Sequence, residues 1–230
     1  SNKMAINVLF IDHESKLGGA EISMVNIVRF MPAENVKYTA IISNYGDLSN
    51  SLSQAGANDV FVERMDGWRW WEKGLKKRIK LLLSLPIQIR NTYKWIKKYK
   101  KINPDIVHFN LTRLVEPVVA AKILGIPSVM HCREHQVNNV NFFGGLKWHS
   151  KLINLCTYWI YNSNDTMKSL EKYKKEKVLS KVIWNGVPVS DFMNSSSRPI
   201  KWKRKNKETR IVLMAATLVP WKNHKYAFRV

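Results

Sequence analysis

The sequence has few acidic residues for its length: 17 Asp and Glu accompany 38 Lys and Arg among 230 residues, which leaves a formal net charge of +21. The deficit is greatest in residues 74–101, which contain ten Lys and Arg and no Asp or Glu. A surplus of this size predicts an anionic partner, such as nucleic acid, an anionic membrane or a phosphorylated substrate. Charge alone does not distinguish these three classes.

Cysteines, metal-ligand clusters and long apolar runs are scarce as well. Cys132 and Cys156, the two cysteines, lie in apolar surroundings without CxxC spacing, so we expect buried free thiols in a reducing compartment. No apolar run has the length of a membrane span and no signal peptide is visible, so the cytoplasm is the expected location. The histidines lack the spacing of a zinc site, and we expect no metal.

Residues 104–134 contain the clearest structural pattern of the chain. Residues 105–109 form a short apolar run, residues 116–124 have the apolar spacing of a helix that ends at Gly125, and residues 126–130 form a second apolar run. This order predicts a right-handed parallel strand–helix–strand unit. Polar residues follow each strand, and open parallel sheets bind ligands at the carboxyl ends of their strands, so we expect the functional site there.

Strand-like and helix-like segments alternate along the rest of the chain. Together they predict a doubly wound α/β domain with a parallel, Rossmann-like sheet. We place this domain at residues 4–187 and a polar, basic linker at residues 188–208. Residues 209–230 are expected to open a truncated second domain, with a strand at residues 210–215 and a helix from residue 222, because one strand–helix pair cannot bury its own apolar faces.

Gly18 and Gly19 separate the first predicted strand from a helix. Glycines at this point let the backbone approach a phosphate, and a helix N-terminus presents free N–H groups to an anion. The GxGxxG fingerprint of dinucleotide-binding folds is absent from the sequence. On these residues alone, a tight turn without a ligand and an anion site are equally compatible.

Three interpretations apply to the basic segment of residues 74–101, which reads as a helix broken near Pro86. One is an amphipathic helix that packs on the sheet and exposes a solvated lysine face. A nucleic-acid site would need a recognisable motif or an aromatic groove, and the sequence shows neither. A membrane surface fits lysines next to aromatic residues, since both favour the interface. The predicted membrane-binding residues are Lys94, Trp95, Lys97, Lys98 and Lys101.

Six short motifs occur in order along the chain: GGAE, PDIVHFNLTRL, GIPSVMHCRE, YNSNDTMKSL, VIWNGVPVSDF and ATLVPWKNH. Each is loose by itself, but the ordered set resembles the retaining glycosyltransferases of GT-B fold, the group called family 4 or glycosyl transferases group 1. The resemblance covers nearly all of the chain. It implies an acceptor-side amino-terminal domain and only the start of the domain that holds the donor. A sugar would pass from a nucleotide-sugar to a glycan or lipid-linked acceptor with retention, without a cofactor or metal.

The resemblance also implies roles for particular residues. Arg133 and Glu134 would lie at the reaction centre, where arginine offers a planar fork of donors and glutamate can orient the acceptor hydroxyl or take its proton. The residues implied in substrate and donor binding are Gly18, Gly19, Glu21, Asn110, Asn185, Gly186, Lys222 and Asn223.

Three positions depart from the family's pattern. Arg133 stands where many members have a histidine, and Thr217 stands where an arginine usually helps the lysine, here Lys222, to neutralise the donor diphosphate. Pro188 stands where an aspartate often follows NGV. The family's glutamate-rich donor motif is not in this sequence, so we expect the chain alone to bind sugar nucleotides weakly and to be inactive.

Two other functions are compatible with the sequence. One is a non-catalytic module that binds anionic membrane surfaces on a Rossmann-like fold. The other is a sugar-nucleotide epimerase of GT-B shape, which shares the architecture but not this set of motifs. As a transferase, the protein is expected to be peripheral on the inner face of the membrane, with no nucleic-acid partner.

Overall fold

The computed structural model forms two compact units, Ser1–Pro188 and Val189–Val230. It describes residues 75–84 and 192 by their backbone only. All described residues lie in the ranges 5–31, 34–65, 75–133, 150–193, 210, 212–216, 218 and 222–228.

The first unit alternates strands and helices. Its described strands are β1 (Ile6–Ile11), β2 (Val36–Ile42), β3 (Asp59–Val62), β4 (Ile106–Phe109), β5 (Ser128–Cys132), β6 (Tyr158–Tyr161) and β7 (Leu179–Val182). The α-helices of this unit that lie entirely within the described residues are α1 (Gly19–Phe30), α2 (Asp47–Gln54), α3 (Leu75–Ile102), α4 (Val115–Leu124) and α5 (Asn164–Leu170). The strands form one seven-stranded parallel sheet in the order β3-β2-β1-β4-β5-β6-β7. The predicted doubly wound α/β fold is confirmed.

The order in which the chain adds strands to the sheet reverses at β1. From β1 the chain adds β2 and β3 on one side, and it then returns to place β4 on the other side. The gap between β1 and β4 is therefore the topological switch point, where open parallel sheets bind their ligands. Strands β1 and β4 end level with each other, because Ile11 and Phe109, their last residues, are paired.

Apolar residues cover both faces of the sheet. Along β1, Leu9 and Ile11 belong to one buried cluster, whereas Val8 and Phe10 belong to another. Successive side chains of a strand point to opposite faces, so the two clusters lie on opposite sides of the sheet. This explains why the strands read as continuous apolar runs rather than as alternating patterns.

Helix α3 runs unbroken from Leu75 to Ile102 with Pro86 inside it, so the predicted break near this proline is wrong. A proline within a helix removes one hydrogen bond and crowds the preceding turn. The second half of α3 offsets this loss by burying Trp95 and Tyr99 in the core. In addition, Tyr99 Oη donates to the carbonyl oxygen of Pro117 in α4 at 3.0 Å.

Cys132 and Cys156 are both buried and unpaired, as predicted. Among the described residues, no helix combines the length and the apolarity that a membrane crossing requires.

The second unit contains two short helices in its described residues, α6 (Val189–Met193) and α7 (His224–Ala227). The helix predicted from residue 222 therefore begins two residues later. The strand predicted at residues 210–215 is wrong, since residues 210 and 212–215 have no strand conformation. A strand needs a partner for its backbone hydrogen bonds, and the described part of this unit contains no other strand. Most of the predicted linker lies outside the described residues.

Candidate functional site

Polar side chains follow four neighbouring strands of the sheet at their carboxyl ends. Asp12 follows β1, Asn110 follows β4, Arg133 follows β5 and Asn162 follows β6. Since β1 and β4 end level with each other, as do β5 and β6, these residues leave the sheet side by side. They form the candidate site at the switch point of the fold.

Asn110 connects two charged residues of this site. Its side chain is fully buried, and its Nδ2 donates to Asp12 Oδ2 and, at 3.3 Å, to the carbonyl oxygen of Ala20. Its Oδ1 accepts a hydrogen bond from Arg133 Nε at 2.9 Å. The amide therefore links a carboxylate to a guanidinium and orients both.

Arg133 is held from several directions. Its Nη1 donates to Asn185 Oδ1 at 3.1 Å, and the same oxygen accepts from Ser23 Oγ at 3.0 Å. Its carbonyl oxygen accepts from Asn162 Nδ2 at 3.0 Å. The second terminal nitrogen, Nη2, is buried and has no hydrogen-bond partner among the described residues. One donor of a fixed guanidinium is therefore open to a group that the described residues do not supply.

Burial dominates the electrostatics of the site. It lowers the pKa of Arg133 to about 10, although the carboxylates of Asp12 and Glu21 act in the opposite direction. Burial also raises the pKa of Asp12 to about 6, and the hydrogen bond from Asn110 offsets only part of this rise. The pKa of Glu21 is raised by burial first and by Asp12 second. At neutral pH Arg133 thus remains a cation.

The glycines before α1 have a structural role. The N–H of Gly18 donates to Glu21 Oε2 at 2.9 Å, which is one half of a capping box at the start of α1. A Cβ added at Gly18 would lie 2.5 Å from the same oxygen, whereas one at Gly19 would meet nothing within 4 Å. The Gly18 amide is thus engaged by Glu21. Contact of these glycines with a phosphate stays a prediction.

A cavity of about 410 Å³ lies between α1 and the segment that follows β7. Its lining includes Ile27 and Phe30 of α1, Trp184, and both Asn185 and Gly186. Cavities of this size that are mostly apolar with a few polar groups are typical of small-molecule sites. Because Asn185 also binds Arg133, the cavity adjoins the guanidinium.

Two buried histidines meet at the wall of this cavity. His108 Nε2 lies 3.3 Å from His131 Nδ1, and His131 lines the cavity. Burial lowers the pKa of His108 to about 3 and that of His131 to about 2, so both are neutral at neutral pH. His131 Nε2 is buried without a hydrogen-bond partner among the described residues. It can donate to or accept from a ligand, depending on the tautomer.

The structure places the predicted site residues in different ways. Asn110, Arg133 and Asn185 are joined by hydrogen bonds, and Glu21 acts on Arg133 through its charge. Glu134 lies outside the described residues. The other predicted donor-binding residues, Lys222 and Asn223, are exposed and belong to the second unit, directly before α7.

Sequence reasoning missed several members of the site. Asp12 and Asn162 could have been found, because each directly follows a strand, as Asn110 and Arg133 do. Ser23 gave no signal in the sequence. His131 belongs to the polar residues near the carboxyl end of its strand, where the functional site is expected, but it is not among the predicted site residues. In the described part of the chain, no group of three or more His, Cys, Asp or Glu can hold a metal ion, and the absence of a cofactor stays a prediction.

One predicted membrane-binding residue requires correction. Trp95 is 6 % exposed and packs in the core, with its ring 5.8 Å from that of Tyr99, so it cannot contact a membrane surface in this fold. Lys98 Nζ lies 2.6 Å from Glu63 Oε2. The remaining predicted lysines, Lys94, Lys97 and Lys101, are exposed on α3.

Comparison with known proteins identifies one family and a set of similar structures. Residues 17–191 match the family Glycosyltransferase Family 4. HepE from Anabaena, solved in complex with UDP-glucose, is 18% identical with a TM-score of 0.54 over 80% of this chain and 45% of that chain. A glycosyltransferase from Rickettsia africae ESF-5 is 18% identical with a TM-score of 0.60 over 85% of this chain and 47% of that chain.

An epimerase is among the similar structures too. A putative UDP-N-acetylglucosamine 2-epimerase from Listeria monocytogenes is 15% identical with a TM-score of 0.52 over 76% of this chain and 44% of that chain. Similarities at these identities show the fold alone. The chain spans less than half of the length of each of these three proteins. No curated protein matches the sequence.

Proposed function

The chain belongs to Glycosyltransferase Family 4, and on that premise we propose that it forms the acceptor-side half of a retaining glycosyltransferase. The sugar would come from a nucleotide-sugar and pass to a glycan or lipid-linked acceptor. A second half would hold most of the donor. Two observations support this division: the match over residues 17–191, and the coverage of less than half of each similar glycosyltransferase.

The observation that carries the proposal is the fixed guanidinium of Arg133. It stands at the switch point of the sheet, it is oriented by Asn110 and Asn185, and its Nη2 lacks a partner among the described residues. Charge develops on the leaving diphosphate as a sugar is transferred. A preorganised donor in a partly dry site stabilises such charge more than a mobile one does. Arg133 is therefore the residue that we assign to this task.

The cavity beside Arg133 is the proposed place for the acceptor. Its apolar walls, with Phe30 and Trp184, suit a sugar ring or the first part of a lipid-linked acceptor. His131 Nε2 would hydrogen-bond a hydroxyl group there. Glu134, the next residue after Arg133, is the proposed group that orients the acceptor hydroxyl or takes its proton.

We also propose that the protein works as a peripheral protein on the cytoplasmic face of a membrane. The outer side of α3 supports this, because Ile89 and Tyr93 are 69% and 56% exposed and lie next to exposed lysines. Aromatic and basic residues together favour a membrane interface.

The test is a transfer assay on the chain joined to its donor-binding half, with UDP- and GDP-sugars and lipid-linked sugar acceptors. Arg133→Gln should lower turnover by about a hundredfold or more, while Arg133→Lys, which keeps the charge but loses the planar fork, should lower it by about tenfold. Lys122→Gln, at an exposed lysine of α4 in the first unit, is the control.

Three results would contradict the proposal. One is unchanged turnover in a folded Arg133→Gln variant. A second is the absence of transfer with every donor. The third is epimerisation of the sugar nucleotide without transfer, which would favour the epimerase alternative. Thermal melting of each variant shows whether the fold is intact.

A further inference from the structure

A groove of about 260 Å³ lies between α3 and the segments that follow β3 and β4. Within the described part of the chain, three separate segments supply its cationic side chains. Helix α3 contributes Arg90, Lys94 and Lys98, the segment after β3 contributes Arg64, and the segment after β4 contributes Arg113. The cations therefore come together through the fold and not through their order in the sequence.

The groove has a positive charge balance. Among the described lining residues, five cationic side chains are accompanied by two carboxylates, Glu63 and Glu116, which leaves an excess of three positive charges. Glu63 is already engaged, because its Oε2 lies 2.6 Å from Lys98 Nζ. Clefts lined by charges of one sign focus the electrostatic potential and concentrate ions of the opposite sign.

The groove also has apolar lining residues beside its charged side chains. The buried side chains of Trp95 and Leu114 form part of an apolar floor, and Asn91 adds an amide. Ile87 is half-exposed among the lining residues. A low-dielectric floor beneath charged groups strengthens their interaction with an anion. The groove thus differs from an open lysine face.

The basic character of α3 does not by itself create this groove. Lys97, Lys100 and Lys101 are also exposed on α3, but they do not line the groove. The same helix therefore has one set of cations that converges with arginines of other segments, and a second set that does not. This second set provides a matched comparison for any experiment.

The groove and the Arg133 site share one segment of the chain. Asn110, which holds Arg133, and Arg113, which lines the groove, are three residues apart in the segment between β4 and α4. An elongated molecule at this edge of the sheet would meet the groove with one part and the catalytic site with another.

We propose that this groove binds a phosphate group of the acceptor. The three arginines among the described lining residues suit phosphate, because the planar guanidinium can donate two parallel hydrogen bonds to its oxygens. The excess of three positive charges in this described lining suits a dianion. The phosphate would belong either to a lipid headgroup or to a soluble phosphorylated sugar. The assignment of this phosphate to the acceptor rests on the proposed function. Binding of a phosphate in the groove does not depend on sugar transfer.

The test compares two triple variants of the 230-residue chain. The groove variant carries Arg90→Gln, Lys94→Gln and Arg113→Gln. The control variant carries Lys97→Gln, Lys100→Gln and Lys101→Gln, which removes the same charge from α3 outside the groove. One arm titrates glucose 1-phosphate by calorimetry, with glucose as the neutral comparison. The other arm measures cosedimentation with vesicles of phosphatidylglycerol and phosphatidylcholine, with phosphatidylcholine vesicles as the comparison.

In the glucose 1-phosphate arm at physiological salt, we expect the groove variant to bind at least tenfold more weakly and the control variant to change by less than threefold. In the vesicle arm, where Lys97 and Lys101 belong to the proposed membrane-binding residues of α3, we expect the control variant to weaken binding as well, but clearly less than the groove variant does. Long-range attraction is largely screened under these conditions, so the difference reports local contacts. Loss in the glucose 1-phosphate arm would identify a soluble phosphate as a sufficient ligand. Loss in the vesicle arm alone would identify the headgroup.

Equal weakening by both variants would show general attraction to a basic surface and would overturn the proposal. Absence of binding by the unaltered chain in both arms would overturn it as well. Equal melting temperatures of the variants exclude misfolding as the cause of a loss. The outcome is separate from the transfer assay: a groove that binds phosphate in a protein without transferase activity would refute the proposed function alone.

Discussion

Arg133 Nε donates a hydrogen bond to Asn110 Oδ1 at 2.9 Å, and the two residues directly follow the paired strands β5 and β4. The same amide donates from its Nδ2 to Asp12, which follows β1. One neutral side chain thus holds a half-buried cation and a buried carboxyl group at the ends of three adjacent strands. The site depends on this amide for its geometry.

Asn110→Ala should therefore destabilise the fold strongly. It removes a hydrogen-bond partner from the buried Asp12 and from the half-buried Arg133. We expect the free energy of unfolding to fall by about 2–4 kcal/mol. Urea unfolding followed by circular dichroism measures the change. Asn50→Ala, at an exposed position of α2, should change it by less than about 0.5 kcal/mol. A similar small effect at Asn110 would mean that the network contributes little to stability.

A second prediction concerns the pH dependence of stability. Burial lowers the pKa of His108 to about 3 and that of His131 to about 2, from 6.5. Below pH 6.5 the unfolded chain therefore binds two protons that the folded chain does not, and stability falls as the pH falls. Asp12 acts in the opposite direction, because its pKa rises from 3.8 to about 6 on folding. Between pH 3.8 and about pH 6 the folded chain therefore holds a proton on Asp12 that the unfolded chain has lost.

Near pH 5 the unfolded chain binds about one proton more than the folded chain at His108, His131 and Asp12 taken together. The free energy of unfolding should therefore fall by about 1.4 kcal/mol for each pH unit of acidification. Asp12→Asn removes the opposing group, so the slope should become about twofold steeper. Urea unfolding at several pH values between 4.5 and 6 measures both slopes. Asp47→Asn, at an exposed residue of α2, is the control. An unchanged slope in Asp12→Asn would show that this carboxyl group is already ionised in the folded protein.

Most of the fold could be predicted from the sequence because the physical signals are local. Strands buried on both faces read as apolar runs, and Gly125 marks the end of α4 with a φ of 68° in the left-handed region. The continuity of α3 through Pro86 could not be predicted, because the packing that stabilises it involves residues of distant elements. The same holds for the strand expected at residues 210–215, whose formation depends on a partner.

The candidate site could be predicted in part. Asn110 and Arg133 follow strands, and the rule that ligands bind at strand ends selects them together with the family resemblance. The contact of Asn110 with Asp12 depends on the pairing register of β1 and β4, and no local pattern encodes it, because the two residues are 98 positions apart. Position along the chain therefore identifies candidates, and register determines which of them meet.

A third prediction follows from the burial of Trp95. This side chain is 6 % exposed and packs in the core cluster with Tyr99. Trp95→Ala should lower the free energy of unfolding by about 3–5 kcal/mol. Trp184→Ala, at a tryptophan that is 73 % exposed, should lower it by less than about 1 kcal/mol.

Trp95→Phe separates a core role from a membrane role. It should retain a folded protein and leave vesicle binding unchanged, because the indole does not reach the surface. Loss of vesicle binding in a folded Trp95→Phe variant would contradict the buried position.

The fourth prediction concerns the outer side of α3. Ile89 and Tyr93 are 69% and 56% exposed one helical turn apart, and Lys97 Nζ lies 4.8 Å from the centre of the Tyr93 ring. If this side meets a membrane, part of the binding energy must come from apolar contact, which salt does not screen. The double variant Ile89→Ser, Tyr93→Ser should therefore weaken binding to phosphatidylglycerol vesicles even in 0.5 M salt.

The chain offers a matched control for this variant. Ile123 and Tyr45 are 61% and 76% exposed on other parts of the first unit. Removal of about 2 kcal/mol of apolar contact from α3 should weaken binding by roughly thirtyfold, whereas Ile123→Ser with Tyr45→Ser should leave it unchanged. Cosedimentation over a range of lipid concentrations measures both affinities. Equal effects of the two double variants would mean that α3 does not provide a membrane contact of its own, and binding would then have to be explained by charge alone.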